Sequence, residues 1–129
     1  MSTASIYATA MTVERLLVGG AAMAAPGALL TGFGAPAELN TPAVRYTTRL
    51  FGVRNIAMGL QVWSARNDPA ELRQLAGLNA AVELTDLVAG AAVTAGDARM
   101  RKPGIAVMVT SLAVASGFIG LRRIACRTP

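Results

Sequence analysis

GIAVMVTSLAVASGFIGL, residues 104–121, carries no charged side chain and runs straight into Arg122 and Arg123. A charge-free stretch of this length exceeds what the apolar stripe of a soluble helix needs, and it reads as a membrane-crossing segment. A second such run extends from Leu16 to Phe33. Between them lie two further long segments, each apolar but interrupted by a few charges. Outward from residues 104–121, the chain divides into four helical spans at about 13–33, 42–66, 69–96 and 103–122. Short connections make consecutive spans antiparallel neighbours, so the expected fold is all-α: a four-span antiparallel transmembrane helix bundle forming one domain over residues 1–129.

Composition agrees with a lipid-facing chain. Of 129 residues, 53% are hydrophobic and only 15% charged, with a mean hydropathy of +0.48. Aromatic residues are scarce, whereas Ala and Gly are abundant; small residues let membrane helices approach closely. Small pairs four apart, Gly20 and Ala24, Ala113 and Gly117, Ser116 and Gly120, are the expected contacts. The net charge of +5 does not point to nucleic acid, because no basic run is interleaved with stacking aromatics. Arginines gathered at helix ends suit a membrane surface better. With one cysteine and no histidine, an intramolecular disulfide is excluded and zinc or imidazole-base chemistry is not expected. No metal and no cofactor is therefore expected, and acid–base work would fall to carboxylates.

Local signals set the helix starts. Thr12 is a plausible N-cap for the first span, with Glu14 favoured as a first-turn acid at the interface beside Arg15 over a role as a further carboxylate of the central site. Thr41-Pro42 opens the second, and Asp68-Pro69-Ala70-Glu71 opens the third as cap, proline at the first helical position and capping glutamate. Pro26-Gly27 should bend or interrupt the first span. A cleavable leader ending near Ala22-Met23-Ala24 is disfavoured because no Lys or Arg precedes Glu14. Tyr46 and Trp63 lie about 26 Å apart along the second helix, a spacing that would place both rings in the interfacial belts or, equally, in ordinary packing. Arg66, Arg73, Arg122, Arg123 and Arg127 fall on the side of the termini, against Arg45, Arg99, Arg101 and Lys102 on the other. This weak bias favours a multi-pass protein of the cell membrane with both termini in the cytoplasm.

The charges inside the spans are the candidate functional residues. Counted outward from the turn at Asp68-Pro69, Arg54 on the second helix lies level with a point between Glu83 and Asp86 on the third. Ionisable side chains at mid-depth are costly unless a partner or a wet cavity receives them, and so mark functional sites. Asn79, Glu83 and Asp86 form one stripe that Gly90 extends; Gly52, Asn55 and Gly59 form a small polar face beside Arg54. Glu83 and Asp86 are expected to act as acid, base or proton site, sharing a proton unless Arg54 or Arg49 neutralises them. Arg49, Arg54, Asn55 and Asn79 are the expected binding residues.

The segment Arg49-Leu50-Phe51-Gly52-Val53-Arg54-Asn55-Ile56-Ala57-Met58-Gly59, with Asp86 in the next apolar helix, resembles a small integral-membrane family known as domain of unknown function four-two-six-seven. The resemblance covers nearly the whole chain. It implies a four-helix membrane protein and brings no activity with it.

Three readings of function follow from the polar stripe. In the first, it binds or transports a small amphiphilic molecule in a proton-dependent way, with size and helix count, though not sequence pattern, like those of the small multidrug exporters. In the second, Glu83 or Asp86 is the acid of a membrane-embedded cyclase, isomerase or epoxide-opening enzyme on a lipophilic substrate. In the third, the stripe is a structural network in a membrane subunit. The expected partners are the lipid bilayer, a lipophilic or amphiphilic small molecule and a further copy of the chain, not nucleic acid.

Overall fold

A computed structural model describes residues 2–127, and every described element is helical. The helices are α1 (Thr3–Ala24), α2 (Pro26–Gly32), α3 (Pro42–Ser64), α4 (Pro69–Gly96) and α5 (Arg101–Ala125), with short 3-10 turns at Ala37–Leu39 and Ala98–Met100. Two of the expected starts are set by their own caps. The Thr41 hydroxyl accepts from Val44 N at 3.3 Å, and Asp68 Oδ1 accepts from Ala70 N and Glu71 N at 2.9 and 3.0 Å. The Asp68 amide itself donates to the Ala65 carbonyl, so Glu71 is not called on to close a capping box. At the far end of α4, Asp97 accepts from Arg99 N at 2.8 Å and pairs with its guanidinium, which holds the Asp97 carboxyl below the usual range. Asp68→Ala removes two of the orphan N–H partners at the start of α4 and is expected to cost about 1 kcal/mol, read as a lowered unfolding midpoint in mixed micelles.

The first span departs from expectation. It begins ten residues earlier than 13, at Thr3 behind an Ser2 cap whose hydroxyl accepts from Ser5 N at 3.1 Å. Thr12 caps nothing; it is buried and its hydroxyl donates to the Gly59 carbonyl at 3.2 Å. The span also ends early, because Pro26 cannot donate to the helix and drives Ala25 to φ −136°, ψ 59°. The chain turns through 114° there, as the Pro26-Gly27 pair foretold, and α2 runs across rather than along the molecule. Gly34, at φ 77°, then reverses the chain in a conformation that side-chain-bearing residues rarely adopt.

Four crossings are expected from the sequence, whereas two helical segments, Pro69–Gly96 and Ala98–Ala125, are long and apolar enough to cross a membrane. The bent pair α1 and α2 makes a third if it counts as one crossing. Helix α3 is long enough but carries Arg45, Arg49 and Arg54.

Two antiparallel pairs build the molecule: α1 lies along α3, and α4 along α5. Glycines bring each pair close. A Cβ on Gly52 would sit 2.8 Å from Gly19 O, and one on Gly90 would sit 3.1 Å from Gly104 O. Gly20, by contrast, faces open space, so the expected Gly20 and Ala24 contact does not form. Between the pairs, α1 touches α5 and α3 touches α4 more sparingly. An apolar core of Ala8, Val62, Leu72, Ala76, Phe118 and Leu121 closes this seam at the end that holds the α3–α4 turn. Larger aliphatics face outward instead, among them Leu17, Val53, Leu60, Val88 and Val109, each more than half exposed. That inside-out distribution suits a lipid surround. Tyr46 and Trp63 are on this outer surface too.

Candidate functional site

Arg15 is the centre of the polar layer. Because α1 starts at Thr3, this residue falls past mid-helix rather than at the interface, and it is 2% exposed. One of its terminal nitrogens, Nη1, donates to Glu83 Oε1 and to Asn55 Oδ1, both at 2.6 Å. The other, Nη2, donates to Asn79 Oδ1 at 3.2 Å. Its guanidinium also lies over the Phe118 ring, 5.0 Å from the centroid. A single side chain of α1 thus holds α3, α4 and α5. The two amides are oriented for it from their own helices, since Asn55 Nδ2 donates to Phe51 O at 3.0 Å and Asn79 Nδ2 to Leu75 O at 2.9 Å. Those bonds turn both amide oxygens towards the cation.

Arg54 makes a second, less buried pair. Its Nη2 and Nη1 reach Asp86 Oδ2 and Oδ1 at 2.5 and 3.3 Å, a forked contact that joins α3 to α4, with the side chains 38% and 22% exposed. The expected meeting of Arg54 with an acid across the α3–α4 hairpin is present, but with Asp86 alone. Glu83 belongs to Arg15. The two carboxylates thus face different guanidinium groups rather than one in common.

Arg49 stands apart. It is exposed on α3 and its Nε donates to Met23 O at 3.3 Å, tying down a carbonyl left free at the end of α1. Of the six expected site residues, the structure brings Arg54, Asn55, Asn79, Glu83 and Asp86 into one layer and leaves Arg49 outside. It adds Arg15, Thr12 and Glu14. The signal for all three was the Ser2 cap: a helix counted from there buries Thr12 and Arg15 and carries Glu14 to the middle of the molecule.

Above the layer, on the side away from the apolar core, the seam opens into a cavity of about 360 Å³. Glu14, Arg15, Asn55, Glu83 and Asp86 supply its polar side, and its walls include Val18, Phe51, Val107 and Val114. A second, almost wholly apolar compartment of about 550 Å³ lies beneath α2 and shares Phe33, Ala89 and Val107 with the first. The two pairs of helices are thus latched by charge at mid-height and parted beyond it. No family model, curated protein or solved structure matches the chain, so the resemblance noted above stands without support or contradiction from known proteins.

Proposed function

We propose that the chain is an integral membrane protein that crosses the bilayer four times and binds a small amphiphilic molecule between its two helix pairs, in a proton-dependent way. The observation that carries this reading is the cavity itself: charged and amide groups on one side, aliphatic walls, and an apolar compartment continuing under α2. A molecule with one polar end and a short hydrocarbon tail matches both parts. In the fourth crossing, α3, the charge at mid-depth is met by Asp86, which lowers the cost of placing that helix in lipid. The pairing of Glu83 and Asp86 with arginines favours binding over acid catalysis by either residue, since a carboxylate engaged by a guanidinium is a poor proton donor.

The test is a neutral probe and a plug. With protein in lipid nanodiscs and empty nanodiscs as the blank, 1-octanol is expected to bind saturably by calorimetry. Val107→Trp, which fills the space common to both compartments, should weaken that binding by about tenfold or more. Octanol heats identical to those of empty discs would end the proposal, as would conversion of a lipophilic substrate in detergent with no gradient present.

A further inference from the structure

Glu14 is the charge left over. The charged groups around the cavity are Glu14 and Arg15 on α1, Arg54 on α3, and Glu83 and Asp86 on α4; the α5 wall, with Val107, Thr110, Ser111, Ala113 and Val114, contributes none. Two cations face three acids, and the two close pairs, Arg15 with Glu83 and Arg54 with Asp86, use both cations. Glu14 makes no close ion pair of its own among the described residues, although the charge of neighbouring Arg15, shared with Glu83, acts on it. Its Oε2 is cut off from solvent and has no hydrogen-bond partner among the described residues, and the residue lines the cavity. The Nε atoms of Arg15 and Arg54 are also buried and unpartnered, and the hydrogen bonds that the two guanidinium groups donate go to Asn55, Asn79, Glu83 and Asp86 rather than to Glu14.

An ionised carboxylate in such surroundings needs either a proton or a cation, because desolvation without compensation costs several kcal/mol. The unfilled acceptor calls for an N–H or O–H donor. Glu14 lines a cavity large enough for a small head group, to which a rotation of its carboxyl group would present the unpartnered oxygen, and the apolar compartment beyond Val107 suits a tail.

We propose that Glu14 is the exchange site of the cavity, holding either a proton or the ammonium group of a monovalent amphiphilic amine. This rests on the cavity reading above and specifies its ligand class. Exchange is balanced: one ammonium enters as one proton leaves, no bond other than a hydrogen bond is made, and the charge of the site is unchanged. It also locates the proton dependence on the acid that forms no close pair with either arginine.

The experiment compares three probes of equal chain length, octylammonium, 1-octanol and octanoate, in the same nanodiscs. Wild-type protein is expected to bind octylammonium about 10- to 100-fold more tightly than octanol, the worth of a charge-assisted hydrogen bond, and octanoate more weakly than either. In Glu14→Gln the preference for ammonium over octanol should vanish. A second readout needs no variant: octylammonium affinity should rise with pH, by at most about tenfold per unit while Glu14 is losing its proton, and then level off. The sign follows because only the deprotonated acid accepts the cation. If octanol binds but octylammonium is not preferred, or the preference survives in Glu14→Gln or shows no rise with pH, the Glu14 assignment is overturned while the cavity reading stands. If none of the three binds, both fall.

Discussion

Arg15→Met is expected to destabilise the protein by about 3–5 kcal/mol, the largest effect of any single substitution considered, because it strands Glu83 as an uncompensated buried acid. Glu83 is 4% exposed and Arg15 is its only ion-pair partner among the described residues. The same change takes the donor from the oxygens of Asn55 and Asn79, both of which are essentially inaccessible to solvent. Unsatisfied buried acceptors add roughly 1–3 kcal/mol each where water cannot reach them. The effect should be strongly non-additive. Glu83→Leu alone leaves the Arg15 cation without its acid, yet the double variant Arg15→Met with Glu83→Leu removes both charges and should regain much of the loss. Unfolding free energies from a denaturing-detergent titration of the four proteins measure this directly. A double variant whose loss equals the sum of the two single losses would sink the claim that these residues act as one pair. Only a double variant more stable than wild type would show that the ion pair costs the fold something to keep.

How the sequence could reveal where α3 and α4 start but not the position of Arg15 has a local cause. Thr41-Pro42 and Asp68-Pro69 announce helix starts with a capping side chain and a proline, and both operate within three residues of themselves. Ser2 is the same kind of signal for α1, but the stretch behind it, Thr3 to Val13, is rich in small and hydroxyl residues, and Ile6, Met11 and Val13 are too few to make a membrane span conspicuous. Reading the first charge as the interface put Glu14 and Arg15 ten residues too shallow. The level of Arg54 relative to Asp86 was legible because the α3–α4 turn sets it by counting. Which acid takes which arginine was not, since Glu83 faces α1, a helix distant in sequence. Helix faces follow the same logic: Gly19 and Gly20 point about 100° apart, and only tertiary packing shows that the first meets α3 while the second meets nothing.

That difference between adjacent glycines supplies a second large effect, of opposite sign at two positions. A Cβ on Gly52 would stand 2.8 Å from the Gly19 carbonyl oxygen and 3.0 Å from Ala22 Cβ. The first of these is backbone and cannot swing aside, so Gly52→Ala must force α1 away from α3. Overpacking of this kind costs about 1–3 kcal/mol, while the better helix propensity of alanine returns up to about 1 kcal/mol, leaving a net loss of roughly 1–2 kcal/mol. Gly20→Ala gains the propensity term against open space and should stabilise by up to about 1 kcal/mol. The displacement also reaches the site. Arg15 sits one helical turn from Gly19, its Cβ lies where a Cβ on Gly59 would come within 2.9 Å, and its bond to Asn55 spans the same α1–α3 interface. Gly52→Ala should therefore weaken octanol binding as well as lower the unfolding midpoint, and Gly20→Ala should leave binding within about twofold of wild type. Equal shifts at the two glycines would mean that α1 and α3 do not approach at Gly19 and Gly52, and the Arg15 latch that depends on that approach would go with it.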